Sequence, residues 1–165
     1  MNTDHYTKEP HSKTIVRFQD CDPFGHLNNA AYINYFINAR EDHLKLFYGF
    51  DVYRHHKEKN ENWFITKNQI AYFQPCGIME EVLVKTRLLR MTNNVVLIEG
   101  LMFDTAGEKL KSVIWIEFRY VNTATGRLAR HPENLMELLA AVQYTDGQPI
   151  TENFDERLKQ VKAKQ

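Results

Sequence analysis

The amino-acid sequence predicts an α+β domain in which a curved antiparallel sheet wraps around one long central helix, with further helices at the C-terminus. The predicted elements run in the order strand, long helix, four strands and terminal helices. The long helix is apolar over more than half of its circumference, so other elements must cover it. Short segments of turn-forming residues separate the four strands, which favours antiparallel pairing of consecutive strands.

The first predicted strand begins at Thr14, where residues 14–19 alternate with the period of two of a half-buried strand. Residues 1–13 lack periodicity and carry mixed charge, so we expect a flexible lead-in followed by a single domain over residues 14–165. Residues 20–25, with the sequence DCDPFG, form a turn-rich loop after the strand. Pro23 fixes its own φ and Gly25 tolerates a positive φ, so this loop cannot continue the strand.

The central helix is predicted from Asn28 or Asn29 to Tyr48, because apolar residues recur there at spacings of three and four. Asparagine is a favoured residue at the start of a helix, where its side chain accepts a hydrogen bond from a free backbone amide. Gly49 stands where a left-handed residue ends a helix. Residues 51–62 are charged and predict a polar connection with a short helical turn, in which His55 and His56 lie at the surface.

The second half of the chain alternates strand-forming runs with breakers. The predicted strands cover residues 63–74, 82–89, 95–104 and 110–121. Residues 122–130 form a turn-bearing exit, after which Pro132 opens a short helix over residues 133–142. Asn153 and Glu156 have the spacing of a capping box at the start of a last charged helix.

Composition excludes several classes of function. The 165 residues contain 21 Lys plus Arg and 21 Asp plus Glu, so no bulk positive charge is available to bind nucleic acid. No run of 18 apolar residues is present and the N-terminus lacks the apolar stretch of a secretory signal, so we expect no membrane insertion and a cytoplasmic protein. Two cysteines, Cys21 and Cys76, are too few for a disulfide framework or a four-cysteine zinc site.

The segment that carries chemistry is residues 17–40, RFQDCDPFGHLNNAAYINYFINAR. A strand end, a short loop with Pro and Gly, and a helix start place a carboxylate close to free backbone amides that carry partial positive charge. Such a pair is suited to hydrolysis at a carbonyl group. A fixed amide donor stabilises the developing oxyanion, typically by about 10² to 10³ in rate, and a carboxylate activates water, typically by about 10² to 10⁴, or attacks the carbonyl itself.

This segment resembles the opening of the hotdog-fold acyl-CoA thioesterases, the 4-hydroxybenzoyl-CoA thioesterase-like group, in which D-x-D-x-x-G precedes the central helix. The match lies at Asp20–Gly25, and the following H-x-N-N-A-x-Y at residues 26–32 is similar to the long-chain acyl-CoA and plant acyl-ACP thioesterase variants. The resemblance implies a hotdog fold and hydrolysis of an acyl-CoA to free acid and CoA without a cofactor. It also implies a homodimer or homotetramer with the site between subunits.

The resemblance implies catalytic roles for Asp22, His26 and Asn29. Asp22, the second acid of D-x-D, matches the catalytic carboxylate as base or nucleophile, with Asp20 supporting it. His26 matches a histidine implicated in catalysis, and the backbone N–H of Asn29 matches the donor that polarises the thioester carbonyl. Phe24 departs from the pattern, since the acyl-ACP enzymes carry an asparagine there, so their full triad is not carried over.

Gly25, Asn28 and Tyr32 are the candidate substrate-binding residues. Gly25 allows close approach of the substrate, and Asn28 shares the helix start with the oxyanion donor. Helical spacing alone favours the core over an acyl pocket for Tyr32, as it does for Tyr35, Phe36 and Ala39.

Several alternatives remain open at this point. Asp20, Asp22 and His26 could ligate a metal ion, but no second histidine stands at helical spacing to them, so no metal is predicted. A nucleophilic Cys21 is disfavoured by the two flanking acids. Nothing selects a partner for the phosphates of CoA among the basic candidates Lys67, Arg87, Arg90, Arg127 and Arg130. The rival functions are a hotdog hydratase or dehydratase and a non-catalytic acyl-thioester-binding domain.

Overall fold

An antiparallel sheet curves around one long helix in the computed structural model, which describes residues 6–147 and 150–163. The α+β class with a central helix is therefore confirmed. The strands are β1 (His11–Ile15), β2 (Glu61–Tyr72), β3 (Glu81–Met91), β4 (Val95–Asp104), β5 (Leu110–Asn122) and β6 (Arg127–Leu128). The helices are α1 (Ala31–Tyr48), α2 (Val52–Lys59), α3 (Glu133–Val142) and α4 (Phe154–Lys162). Within the described ranges, no helix has the length and apolar character needed to cross a membrane.

The order of the strands across the sheet is β1-β3-β4-β5-β2, with β6 beside β5. The expected pairing of consecutive strands is correct for β3 with β4 and for β4 with β5. It is wrong for β2 and β3, because β2 pairs with β5 at the far edge of the sheet. Three strand spacings, about 14 Å, separate β2 from β3, and residues 73–80 are long enough to carry the chain across the open end of the curved sheet.

The first strand covers His11–Ile15 and not residues 14–19. It pairs with β3 from His11 opposite Lys85 to Ile15 opposite Glu81, so the predicted lead-in over residues 1–13 extends into it. Residues 1–5 lie outside the described residues. The chain then turns through a 3₁₀ segment at Phe18–Asp20. Residues 11–15 form the strand because they are the ones that lie beside β3 and hydrogen-bond to it. Side-chain alternation along residues 14–19 does not show which residues meet β3.

Helix α1 begins at Ala31, two to three residues later than predicted, because Asn28 caps a turn that precedes it. The Asn28 side-chain oxygen accepts from the Ala30 amide at 2.9 Å and its carbonyl from the Ala31 amide at 2.8 Å. The helix ends as expected at Tyr48, followed by Gly49 with a φ of 65°. Its buried face lies so close to the sheet that a Cβ on Gly100 would stand 2.4 Å from Phe36 Cδ1. Only glycine allows this approach.

Helix α2 is a complete helix where only a helical turn was expected. Asp51 caps it by accepting from the Arg54 amide at 3.0 Å. His55 is half-buried and not at the surface, since its Nε2 lies 2.6 Å from the Tyr120 hydroxyl and its ring stacks on Trp63. These contacts anchor α2 to the sheet. They cannot be predicted from the local pattern, because Tyr120 is distant from His55 along the chain.

Helix α4 covers the outer face of the sheet. Its predicted asparagine cap is confirmed, since Asn153 Oδ1 accepts from the Glu156 amide at 3.1 Å. In a capping box the Glu156 side chain would accept directly from the Asn153 amide. Here Thr151 lies between them: its hydroxyl donates to Glu156 Oε2 at 2.6 Å and accepts from the Asn153 amide at 3.1 Å. Phe154 packs edge-on against Trp115 of β5, with ring centroids 5.4 Å apart.

His43 of α1 makes the stability of the fold sensitive to acid. It is 0% exposed, with Nδ1 2.7 Å from Thr86 Oγ1 and Nε2 2.9 Å from Ser12 Oγ. Burial, followed by the charges of Arg40 and His11, lowers the pKa of His43 to about 4. In the unfolded chain His43 takes up a proton near pH 6.5, whereas in the folded protein it stays neutral down to about pH 4. As the pH is lowered from about 6.5 to about 4, we therefore expect the free energy of unfolding to fall by on the order of 3 kcal/mol.

Urea unfolding at stepped pH measures this loss, with His43→Gln as the comparison. The variant keeps every other titrating group, so the difference between the two proteins isolates His43. We expect the variant to lose less stability across this range than the parent. Parallel stability curves for the two proteins would contradict the assignment.

Candidate active site

The loop between β1 and α1 is a tight hairpin closed by its own backbone. The Asp22 amide donates to the His26 carbonyl at 2.8 Å, and the Gly25 amide donates to the Asp22 carbonyl at 3.0 Å. Gly25 has a φ of 77°, which this turn requires. The amides of Leu27 and Ile78 join the hairpin to the 76–78 segment, donating to Cys76 at 2.8 Å and to Gly25 at 2.9 Å. The hairpin is thus fixed both by bonds within it and by bonds to the 76–78 segment.

The carboxylate of Asp22 is oriented by the backbone of its own hairpin. Its Oδ1 accepts from the Phe24 amide at 2.9 Å and from the His26 amide at 3.1 Å. Within residues 6–147 and 150–163, no hydrogen bond or ion pair involves Oδ2. One oxygen therefore holds the side chain in place and the other is left available.

The start of α1 presents a backbone amide next to this hairpin. The Asn28 amide donates to the Asp20 carbonyl at 2.9 Å, and the Ala30 and Ala31 amides are bound by Asn28. The amide of Asn29 has no hydrogen-bond acceptor among the described residues, whereas its carbonyl accepts from the Tyr72 hydroxyl at 2.8 Å. An unpaired amide at the positive end of a helix is suited to bind an oxyanion.

Tyr35 connects the strand end, the hairpin and the helix. Its hydroxyl donates to Asp20 Oδ2 at 2.8 Å and accepts from the Arg17 amide at 2.9 Å. Burial raises the pKa of Tyr35, together with its bond to Asp20, so the hydroxyl stays a donor at neutral pH. Asp20 thus binds Tyr35 through its carboxylate and the Asn28 amide through its carbonyl, and its supporting role for Asp22 stays a prediction. The positioning bonds of Tyr35 and Tyr72 could not be recognised in the sequence, where helical spacing placed Tyr35 in the core.

The structure brings five of the predicted site residues into one hairpin and helix start: Asp22, Gly25, His26, Asn28 and Asn29. The His26 side chain is exposed, and within the described residues it makes no hydrogen bond. Tyr32 differs from these, since it is 2% exposed and packs edge-on against Tyr72 with centroids 5.1 Å apart. Its contact with substrate, like the catalytic roles, stays a prediction.

A nucleophilic Cys21 and a metal site at the hairpin are the two alternative functions for this loop. Burial raises the pKa of the Cys21 thiol, and the charges of Asp20 and Asp22 raise it further, so a Cys21 thiolate is disfavoured. The Cys21 thiol donates to the Arg17 carbonyl at 3.3 Å. Among the described side chains, no group of three or more His, Cys, Asp or Glu residues is arranged to hold a metal ion.

An exposed apolar patch borders the hairpin. It consists of Phe18, Phe24, Ile78 and Met79, of which Phe24 is 84% exposed. The Met79 amide donates to the Val16 carbonyl at 3.0 Å, which fixes the 77–79 segment beside the strand end. Phe24, which departs from the resemblance, therefore lies at the rim of the site and not in its interior.

Of the five basic residues considered for the phosphates of CoA, two are bound elsewhere. Arg87 forms ion pairs with Glu9 and Glu99, and Arg90 pairs with Glu152 at 2.7 Å. Lys67, Arg127 and Arg130 form no ion pair with any described residue. These three basic side chains therefore stay available to pair with a phosphate group.

Comparisons with known proteins agree with this architecture. The sequence profile of the thioesterase-like superfamily matches residues 16–139. A Staphylococcus aureus protein solved in complex with CoA is similar in structure, with a TM-score of 0.77, 15% identity and coverage of 92% of this chain and 93% of that one. A DHNA-CoA thioesterase from Staphylococcus aureus has a TM-score of 0.71 at 18% identity, covering 94% and 91%.

A probable thioesterase from Bartonella henselae has a TM-score of 0.69 at 20% identity, with coverage of 75% of this chain and 99% of that one. No curated protein sequence matches this chain. The structural likenesses establish the hotdog fold, which the sequence had predicted from residues 17–40.

Proposed function

The chain belongs to the thioesterase-like superfamily, and on this premise we propose that it hydrolyses an acyl-CoA thioester to a free acid and CoA. The observation that carries the proposal is that one hairpin and the helix start that follows it hold both an oriented carboxylate, Asp22, and a backbone amide with no acceptor among the described residues, that of Asn29. The carboxylate supplies a base or nucleophile, and the amide supplies an oxyanion donor. Neither needs a cofactor. The cytoplasmic location stays a prediction.

In this proposal the thioester carbonyl binds with its oxygen against the Asn29 amide. Negative charge grows on that oxygen as the tetrahedral intermediate forms, and the amide and helix dipole stabilise it. Asp22 Oδ2 either removes a proton from the attacking water or attacks the carbonyl carbon directly. Both routes require the ionised carboxylate. On the base route the tetrahedral intermediate expels the CoA thiolate, which takes up the proton that Asp22 removed from water. On the nucleophile route expulsion of the thiolate leaves a mixed anhydride between the acyl group and Asp22, and water then hydrolyses this anhydride to the free acid, which restores the carboxylate and supplies the proton for the thiolate.

Coenzyme A as carrier is supported by two of the structural relatives. One was solved with CoA bound and another is named for hydrolysis of DHNA-CoA. Lys67, Arg127 and Arg130 are available for its phosphates, because none of them forms an ion pair among the described residues. The acyl group of this protein's substrate is to be identified by assay.

Assembly through the edge of β2 is the second part of the proposal. β2 is an edge strand of 12 residues whose middle portion is exposed, including Phe64 and Ile65. A long unpaired edge with apolar side chains favours pairing with another strand, and a two-fold axis pairs the same edge of two copies. We therefore propose a homodimer, or a homotetramer built from such dimers.

Replacing Ile65 by Lys tests this assembly. A charge on the edge of β2 opposes pairing of the two copies, so we expect the assembly to dissociate to monomers in light scattering, with loss of turnover. Leu128→Lys is the matched control, since Leu128 is also an exposed apolar residue but lies on β6. Ile65→Lys that keeps the mass of the parent assembly would exclude this edge as the interface.

A panel of acyl-CoAs of graded chain length, with detection of the released thiol, tests the activity. Release of thiol supports hydrolysis. Addition of water to an enoyl-CoA without thiol release would indicate the hydratase alternative, and binding without any turnover would indicate a non-catalytic domain. The parent protein and Asp22→Asn are assayed side by side.

His26 is expected to contribute less than Asp22. Its backbone N–H and C=O hold the hairpin, whereas its side chain is exposed and unbonded within the described ranges. His26→Ala keeps those backbone bonds, so we expect a loss in kcat of no more than about tenfold if the imidazole only positions water. A loss as large as that of Asp22→Asn would instead make His26 a proton-transfer group.

A further inference from the structure

A cavity lies between the C-terminal half of α1, helices α2 and α3 and the inner face of the sheet. Its volume is about 150 Å³, and its wall is largely apolar, including Ile37, Leu44, Trp63, Phe118 and Leu139. An apolar cavity of about this volume in another protein binds a molecule of the size of benzene. The cavity is therefore large enough for a small apolar group.

Arg40 is the unusual residue of this wall. It is 6% exposed, and its guanidinium carbon lies 5.9 Å from the centroid of the Tyr48 ring. Among the described residues, no carboxylate is within ion-pair distance of it. Burial lowers the pKa of Arg40, and the Tyr48 side chain beside the guanidinium opposes this only in part. A buried cation is costly unless an anion pairs with it.

The other polar groups of the wall do not neutralise Arg40. Glu41 follows it directly on α1, and adjacent residues on a helix do not face each other. The Glu41 carboxylate instead accepts from the Tyr53 hydroxyl of α2 at 2.8 Å. Asn62 Oδ1 accepts from the Trp63 amide at 2.8 Å. Among the described residues of the wall, no carboxylate therefore neutralises Arg40.

The cavity is distinct from the proposed catalytic hairpin. Arg40 stands nine residues after Ala31 on α1, which is about 14 Å along the helix axis. The hairpin lies before the start of α1 and the cavity lies along its C-terminal half, so binding in the cavity does not require the Asp22 carboxylate.

We propose that this cavity binds a free organic acid, whose apolar body fills the space and whose carboxylate pairs with Arg40. A carboxylate matches the fork of guanidinium donors, and charge-assisted bonds of this kind are the strong ones. A CoA ester is far larger than the cavity and carries several negative charges. The free acid is the small molecule that combines one carboxylate with an apolar body.

Titration calorimetry with octanoate and octan-1-ol tests the proposal on the parent, Arg40→Met and Asp22→Asn. We expect Arg40→Met to weaken octanoate binding by about 10- to 100-fold, and to change the binding of the alcohol by less than about twofold. Removing an unpaired buried charge should not unfold the protein. Leu138→Trp, which fills the cavity from α3, should weaken both ligands.

Asp22→Asn separates this proposal from the proposed reaction, because we expect it to bind octanoate like the parent even if no substrate is hydrolysed. Octanoate binding that is absent in the parent, or unchanged in Arg40→Met, would overturn the assignment. A rise in KM for octanoyl-CoA in Arg40→Met that equals the loss of octanoate affinity would also overturn it, since the cavity would then receive the acyl chain of the substrate.

Discussion

Asp22→Asn lowers turnover at least about 100-fold while the protein stays folded; this is the expected result if the carboxylate assists hydrolysis. Asparagine keeps an oxygen in the position of Oδ1, so the bonds from the Phe24 and His26 amides remain. Only the negative charge and the second oxygen are lost. Steady-state release of thiol measures the loss of turnover, and a thermal melt shows whether the variant stays folded.

Asp104→Asn is a closely matched control for this substitution. Asp104 also holds a turn through Oδ1, which accepts from the Glu108 amide at 2.9 Å and from the Lys109 amide at 3.1 Å. It is the last residue of β4, far along the chain from the hairpin between β1 and α1. We expect its change to Asn to leave turnover unaltered. Equal turnover in Asp22→Asn and the parent would show that Asp22 is only a turn residue like Asp104.

Arg157→Met has the largest expected effect on stability. Arg157 of α4 is 1% exposed, and its Nε and Nη2 donate to the two oxygens of Glu99 at 2.8 and 2.9 Å. Burial alone would raise the pKa of Glu99, but the bonds and charges of Arg157 and Arg87 hold it below its usual value. Without Arg157, a carboxylate that is 0% exposed keeps Arg87 and Trp115 as its partners among the residues that the structure describes.

Removing one member of a buried pair typically costs about 3–5 kcal/mol, and for a chain of this length that corresponds to a fall in Tm of about 10 °C or more. Urea unfolding measures the free energy. Arg90→Met is the control, since the Arg90–Glu152 pair is largely exposed and should contribute less than about 1 kcal/mol. The double variant Glu99→Gln with Arg157→Met should recover part of the loss, because it removes the buried negative charge. Equal stability of Arg157→Met and Arg90→Met would refute a structural role for the buried pair.

The sequence determined those features that depend on residues close together along the chain. The helix end at Gly49, the strand pairs on either side of residues 92–94 and 105–109, and the start of α3 after Pro132 all follow from local periodicity, caps and breakers. The hairpin of residues 21–27 belongs to the same class, because its bonds join residues at most six positions apart. The neighbourhood of Asp22 and the helix start could therefore be predicted.

Only the tertiary structure decided the pairing of β2 with β5, the contact of Tyr72 with Asn29 and the buried ion pair of Glu99 with Arg157. The partners in these contacts are separated by tens of residues, and nothing in the local pattern around either one records the other. The same holds for Arg40: its helical position is evident from the sequence, but its burial without a carboxylate partner in the described part of the chain is not. Helix, strand and cap preferences depend on neighbouring residues and can be read along the chain. The burial of a side chain and the pairing of its charge depend on which distant segments meet in space.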